Sequence, residues 1–491
     1  MVDKPIDVDA IIAEVNARHA AESKPRDDAG ADSGKLKQAD QLINLVISAA
    51  ESFHSPDHIG YANLAVDDHR ETWSIRSKAF KRWLVRRFYA ATKSAPNSEA
   101  VQSALTVIEA KAQFDAPEHP VHVRVAGHDN KIYLDLCDAA WRAVEIDGNG
   151  WRVIDASPVR FRRAAGMQAL RDPQPGGDIT ALRTFLNLKF DGDFALVVAW
   201  LVAALRDRGP YPVLALAGEQ GSAKSTLTAM LRALIDPNTA ALRALSREDR
   251  DLFIAAGNGH VLAFDNVSGL ASWISDTLCR LATGGGFAVR QLFTDQDEVL
   301  FDAMRPTILN GIEDVVTRPD LADRAIFLAL EPIPENLRRA EKELWAEFEA
   351  KRPLILGALL DAVAHGLRHL PDTRLEELPR MADFALWATA CETATRGAFM
   401  RAYSGNRAEA VETVIEADPV ATAIRRFMAG RGEWSGIASQ LLSALSDMVG
   451  EKIAKAKGWP SDATRLSGHL RRVATPLRKA GIAVAFGKRK A

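Results

Sequence analysis

The chain has 491 residues, 47% hydrophobic and 26% charged, with a formal net charge of −2, a balance that excludes disorder as the dominant state and allows about three domains. The longest apolar run, Phe194 to Leu205, is too short for a bilayer span and is expected as a buried core helix, so no membrane partner is predicted. Met1 to Ala10 lacks the apolar core of a secretory signal, and Cys137, Cys279 and Cys391 are scattered without Cys/His clustering, which fits a reducing, cytoplasmic location and argues against a disulfide framework or zinc site.

Residues 1–38 are rich in Ser, Asp, Gly and Lys and read as a flexible arm. Residues 39–175 mix helical spacing near Leu42 to Ala50 with alternation from Val121 to Leu136 and around Asp147-Gly148-Asn149-Gly150, which predicts hairpins in an α+β domain. Within it, Lys81, Arg82, Arg86 and Arg87 interleave with Phe80, Trp83 and Phe88. That pattern fits either nucleic-acid contact or ordinary packing of the aromatics. The Pro/Gly-dense Arg171 to Asp178 marks a boundary. Residues 176–335 alternate apolar strands with helices, as a parallel α/β sheet requires, with Val213 to Leu216, Val261 to Phe264 and Thr307 to Leu309 as its best buried strands. Residues 336–415 are helical by spacing, and residues 416–491 form a basic unit of short helices ending in an alternating run, Ile482 to Phe486.

The strongest chemical signal is Gly218-Glu219-Gln220-Gly221-Ser222-Ala223-Lys224-Ser225-Thr226. A phosphate-binding loop needs a glycine-rich turn whose amides converge on phosphate, a lysine for the β and γ oxygens, and a hydroxyl for Mg²⁺. Lys224 and Ser225 fill the last two roles, while Ala223 stands where a second glycine is usual. The loop follows an apolar strand and opens a helical stretch, Lys224 to Ile235, so bound phosphate would meet a helix N-terminus. ATP and Mg²⁺ are the cofactors expected.

Val261 to Phe264 ends in Asp265-Asn266. A buried strand ending in an acid suits the metal side of such a site, so Asp265 joins Ser225 as a metal-holding residue. Asn266 takes the place of the second acid that would polarise water. Asn310 ends a further strand and is read either as a γ-phosphate sensor or as a turn residue before Gly311. Beyond it, Arg318 and Arg324 in Arg318-Pro319-Asp320-Leu321-Ala322-Asp323-Arg324 are candidates for fingers inserted into a neighbouring subunit's site, or for local salt bridges. Between these motifs, Thr283 to Asp297 reads as glycines followed by two short extended pieces that suggest a hairpin carrying Arg290, while spacing alone fits an ordinary loop.

This order of elements, from the P-loop through Asp265-Asn266, the Thr-Gly-Gly-Gly-Phe-Ala-Val-Arg hairpin and the Asn310 strand to Asp320–Arg324, resembles the superfamily 3 helicases of the AAA+ class. It is most similar to the replication helicases of prophages, plasmids and integrative elements that are often described as primase-helicases. The resemblance covers roughly Pro210 to Leu330. It implies a ring, taken as a hexamer, around single-stranded or forked DNA, with Arg290 gripping the backbone in the channel and an initiator or primase as companion. Ala223 and Asn266 depart from the pattern, and no primase acid cluster is visible in the N-terminal domain.

The tail points to DNA independently. From Arg425 onward, basic residues exceed acidic ones by about ten. Leu466, Leu470, Val473 and Leu477 make a helical stripe flanked by Arg465, Arg471 and Arg472, and Lys488-Arg489-Lys490 end the chain. A helix, a basic helix and the run Ile482 to Phe486 predict a winged helix with phosphate contacts from both helix and wing. The expectation is an ATP-dependent DNA helicase or translocase. The rivals are a DNA-bound AAA+ ATPase switch without processive unwinding and a small-molecule P-loop kinase.

Overall fold

The computed structural model describes residues 37–285, 287–290, 298–301, 303–312, 316, 318–393, 396–456 and 458–487. The expected arm lies almost wholly outside the described residues, and so do Lys488, Arg489 and Lys490.

The first unit joins helix α1 (Gln38–Ala49) to an antiparallel sheet of β1 (Ala50–His54), β2 (Gly60–Val66) and β3 (His69–Ser74), followed by α2 (Lys78–Thr92) and α3 (Ser98–Phe114). In α2 the apolar residues Phe80, Leu84 and Phe88 recur every fourth position and are buried, so one stripe of the helix faces inward. Ser77 starts the helix by accepting a hydrogen bond from the Phe80 amide at 3.1 Å. This unit has its own core, in which Leu42, Val46 and Leu64 meet that stripe and Val101, Ala104 and Ile108 of α3.

A second antiparallel sheet follows. The short parallel pair β4 (Val121–His122) and β9 (Arg160–Phe161) flanks a meander of β5 (Val125–His128), β6 (Lys131–Asp135), β7 (Ala143–Asp147) and β8 (Gly150–Ile154). His128 pairs with Lys131, and Asp129 and Asn130 between them both have positive φ, 49° and 59°, as a tight two-residue turn between twisted strands requires. The inward residues Ile132, Leu134, Val144 and Ile146 do not build a core with the first unit. They share one with α4 (Asp191–Ala204) and with helices further along the chain. That core spans the Arg171–Asp178 segment, which the sequence reads as a boundary, and the Gln174 amide donates to the Pro353 carbonyl at 3.0 Å.

The central sheet is wholly parallel. It comprises β10 (Val213–Gly218), β11 (Leu262–Phe264), β14 (Thr307–Gly311) and β15 (Ala325–Leu330), in spatial order β11-β14-β10-β15. Each of the three expected strands is present, and β15 adds an edge the sequence reading did not anticipate. Arg243 bridges Phe264 in parallel, a one-residue extension beyond β11. α5 (Lys224–Ile235) follows β10, and α6 (Asp249–Asn258) precedes β11. Helix α4, the expected core helix, is buried on nearly all sides from Leu196 to Ala204.

After α7 (Ser272–Thr283), β12 (Phe287–Arg290) and β13 (Glu298–Phe301) form the expected antiparallel hairpin, with Arg290 opposite Glu298. α8 (Pro319–Ala322) leads into β15. The remainder is helical: α9 (Glu341–His369), α10 (Ala382–Ala390), α11 (Ala398–Ala417), α12 (Pro419–Met428), α13 (Ala438–Val449), α14 (Glu451–Ala454) and α15 (Ala463–Lys479). α12, α13 and α15 close on a small core of Val420, Ile424, Leu445, Leu466 and Leu470.

The structure differs from the sequence reading at the wing. Ile482 to Phe486 forms no strand, because no strand lies beside it among the described residues. The Ile482 amide instead donates to the Leu477 carbonyl at 2.8 Å, Gly481 takes a positive φ of 86°, and the chain then runs against the helical core through Ile482 and Val484. No described helix is long and apolar enough to cross a membrane.

Candidate nucleotide-binding site

Because β10, β11 and β14 are parallel, their C-terminal ends lie along one edge of the sheet, where α/β proteins assemble ligand sites. β10 delivers the glycine-rich loop to that edge. Gly218 has a φ of 157°, and a Cβ there would lie 2.4 Å from the Leu330 carbonyl oxygen of β15, so no larger residue fits without moving a strand. Gly221 has a φ of 80°, in the region that favours glycine. Ala223 has a φ of 62° and a ψ of 27° at the start of α5, a left-handed conformation that costs a non-glycine residue about 1 to 2 kcal/mol. The loop therefore keeps the glycine-type backbone although the glycine is absent.

Glu219, Gln220 and Gly221 are exposed, as is Ser225, and Thr226 is half-buried. The Lys224 ammonium is folded onto the loop, donating to the Gly218 carbonyl at 2.6 Å, the Glu219 carbonyl at 2.8 Å and Ser222 Oγ at 3.2 Å. Desolvation lowers its pKa and the Asp265 charge opposes that shift. Each of these oxygens is a carbonyl or hydroxyl rather than a carboxylate, so the lysine charge is left for an anion.

Ser225 Oγ donates to the Asp265 carboxylate, at 3.1 Å to Oδ1 and 3.0 Å to Oδ2. The Asp265 amide is held by the Arg243 carbonyl at 2.9 Å, so the one-residue bridge beyond β11 fixes the strand end that presents the acid. A hydroxyl beside a carboxylate is a hard-oxygen donor pair that suits Mg²⁺, which fills its remaining positions with water and phosphate. Asn266 is exposed at a φ of 54°. Asn310 is fully buried at the end of β14. Its Nδ2 donates to Thr228 Oγ1 of α5 at 3.4 Å, and its Oδ1 has no partner. A buried, half-satisfied amide next to α5, the helix that follows the glycine-rich loop, is uncommon in a purely structural role.

Sequence reasoning missed two residues. Asn187, ahead of α4, donates through Nδ2 to the Ser222 carbonyl at 3.0 Å and the Glu331 carbonyl at 2.7 Å, tying the loop to the end of β15. Arg338, beyond β15, brings Nη2 to 3.5 Å from where a Cβ on Gly221 would sit, while the Ile333 amide donates to the Gly221 carbonyl at 3.0 Å. Neither residue lies in a recognisable motif, so nothing in the sequence marks them.

The two arginines expected as fingers lie along α7 and α8. Arg318 donates to the Ser272 carbonyl at 2.6 Å and pairs with Asp276 at 2.9 Å. Arg324 donates to the Asp320 carbonyl at 2.7 Å and lies 3.7 Å from Cys279 Sγ, with its buried Nε unpartnered. Its neighbour Asp323 pairs with Lys479 of α15 and with Arg380 at 3.6 Å. In the C-terminal unit Arg465, Arg471 and Arg472 are exposed on α15. Arg465 lies 3.6 Å from Asp462, Arg471 lies over Phe486, and Arg472 donates to His469 at 3.4 Å.

Comparison with known proteins adds context to this geometry. No curated protein matches the chain. Among solved structures, an apo form of the NrS-1 C-terminal region is 12% identical over 90% of this chain and 95% of that one, with a TM-score of 0.41. The A form of the same region is 9% identical over 92% of each chain, with a TM-score of 0.40. A JCV helicase bound to a substituted N-phenylacetamide is 14% identical over 41% of this chain and 60% of that one, with a TM-score of 0.23. Residues 179–411 match the family described as the actinomycete integrative conjugative element replication protein, and residues 420–491 match the C-terminal domain of that protein, RepA. From residue 179 onward, the sheet with its loop and then the helical C-terminal unit thus match, in order, the replication protein of actinomycete integrative conjugative elements.

Proposed function

We propose that the chain is a replication protein of that kind, an ATPase of the AAA+ superfamily 3 type that translocates on or unwinds DNA. The observation that carries this reading is the meeting of Lys224, Ser225, Asp265 and Asn310 at one sheet edge, with Ser225 Oγ 3.0 Å from the Asp265 carboxylate. ATP binds with its phosphates on the Gly218–Thr226 loop at the N-terminus of α5, and Lys224 leaves the loop carbonyls for the β and γ oxygens. Ser225 and Asp265 hold Mg²⁺, which neutralises phosphate charge. The free Oδ1 of Asn310 orients the attacking water. Arg324, with Arg318 beside it, is presented to the site of an adjacent subunit in a homo-oligomeric ring, where it stabilises the charge that develops on phosphate. Arg290 on the β12–β13 hairpin and the exposed arginines of α15 are the DNA contacts, in keeping with the basic excess of the C-terminal unit.

A second reading is favoured by Asn266, which supplies no carboxylate to polarise water. A DNA-bound ATPase switch would hydrolyse slowly and displace no strand. ATP turnover with and without single-stranded DNA, followed by strand displacement on a forked substrate, separates the two. DNA-stimulated turnover with displacement supports the motor, and DNA binding with turnover but no displacement supports the switch.

A further inference from the structure

Helix α2 lies in the N-terminal unit, outside the residues matched to the replication-protein family and apart from the nucleotide site. It contains five cations, Lys78, Lys81, Arg82, Arg86 and Arg87, and no acid. The buried stripe Phe80, Leu84 and Phe88 fixes how the helix is turned. At about 100° per residue, Lys78, Lys81, Arg82, Val85, Arg86 and Tyr89 then share one outward arc of about 140°. Val85 and Tyr89 lie along the middle of that arc, with Lys81 on one flank and Arg82 and Arg86 on the other. This face is an open surface that extends along the helix as far as Ala95. Tyr89 is 57% exposed, and among the described residues no carboxylate pairs with Lys78, Lys81, Arg82 or Arg86.

An unpaired cationic face of this kind concentrates polyanions. We propose that this face of α2 is a duplex-DNA binding surface that lies in the major groove. An α-helix fits that groove, and the arc from Lys78 to Tyr89 is about 16 Å long. Cations on both flanks reach the phosphates bordering the groove on either side, and Tyr89 faces the base edges, with Val85 half-buried beside it against the core. Single-stranded DNA is the poorer fit, because its binding relies on several aromatic platforms in succession along the strand, and Tyr89 is the one exposed aromatic on this face among the described residues. Here Phe80 and Phe88 are buried in the core, and Trp83 is half-buried with Arg87 over its ring. The sequence leaves packing and nucleic-acid contact as alternatives for this stretch. The structure separates them by residue, with the aromatics Phe80 and Phe88 inside and the cations outside.

The surface does not depend on nucleotide turnover, so inactivity of Lys224→Ala leaves it standing. The test uses the full chain and a fluorescein-labelled random 20-base-pair duplex, beside the same length of single strand, with anisotropy read across a salt series. Lys81→Ala/Arg82→Ala/Arg86→Ala, all at exposed positions, is expected to lower duplex affinity at least tenfold. It should also flatten the slope of log affinity against log salt by about 2 to 3, roughly 0.9 per lost phosphate contact. Single-strand affinity and nucleotide affinity should be unchanged, and Arg86→Glu alone should weaken duplex binding in the same direction. Wild-type duplex affinity and salt slope in these variants would overturn the proposal, and so would an equal loss on duplex and single strand.

Discussion

Arg124, just ahead of the meander, and Asp236 at the end of α5 form an ion pair, Nε to Oδ1 at 3.0 Å, with both side chains fully buried. Arg124 also donates to the Asp135 and Gln168 carbonyls at 2.9 Å each. The other oxygen of Asp236 accepts the His260 and Val261 amides at 3.0 and 3.1 Å. Burial opposes the charge on Asp236, but Arg124, His260, Arg232 and the Val261 amide outweigh it and hold the carboxyl below its ordinary pKa. One pair therefore joins the N-terminal meander, the end of α5 and the start of the strand that presents Asp265.

Breaking such a pair from one side leaves a buried charge without a partner, which costs about 3 to 5 kcal/mol. Arg124→Ala should lower unfolding stability by that amount, read from the midpoint of urea denaturation. A loss under about 1 kcal/mol would show that the meander is not fastened to the core through this contact.

His260 gives the fold a pH dependence. It is buried, its Nε2–H donates to the Ala204 carbonyl at 2.6 Å, and burial, with Arg305 adding to it, pushes its pKa down to about 4. The unfolded chain, with an ordinary histidine pKa near 6.5, binds the proton first. This contribution to stability is therefore complete above about pH 6.5 and is lost as pH falls toward 4, at up to about 1.4 kcal/mol per pH unit. His260→Gln should flatten that part of the stability–pH curve. An unchanged slope between pH 6.5 and 4 would contradict the assignment.

Asn187 clamps the Gly218–Thr226 loop from outside it. Asn187→Ala removes two hydrogen bonds, to Ser222 and Glu331, and frees a loop that must be ordered to receive phosphate. Nucleotide affinity should fall about tenfold, near 1.4 kcal/mol, with a smaller effect on thermal unfolding. Unaltered affinity by fluorescent-nucleotide titration would remove Asn187 from the site.

Asn310 differs in kind. Its one bond, to Thr228, is long at 3.4 Å and its Oδ1 is unpartnered, so Asn310→Ala should cost little stability. Turnover should drop about 100-fold or more if the amide orients water in the transition state, with ATP affinity retained. Wild-type turnover in this variant would return Asn310 to the role of a strand-end turn residue.

The glycine-rich loop between a strand and a helix was legible because the signal is local: Gly218, Lys224 and Ser225 lie within eight consecutive residues, and the strand before and helix after them follow from spacing. The strand-end positions of Asp265 and Asn310 were legible because each ends a short apolar run. Ala325–Leu330 was not read as a strand, since a short continuous apolar run fits a buried strand or a helical segment equally well, and only its pairing with β10 defines it. Asn187 and Arg338 reach the loop through the tertiary fold, and no spacing rule reports that. The predicted wing strand shows the opposite failure. Alternation in Ile482–Phe486 satisfies a strand pattern, but a strand also needs a partner, and the chain instead packs back onto α15.

The central claim is a DNA-coupled ATPase, and it is tested most directly by ATP turnover of the full chain with and without single-stranded DNA, with molecular mass measured in the same buffer. Wild type is compared with Lys224→Ala and Arg324→Ala. The account predicts DNA-stimulated turnover by an oligomer, abolished by both substitutions, with Arg324→Ala still binding nucleotide and assembling. A monomer that turns over ATP regardless of DNA and tolerates Arg324→Ala would contradict it.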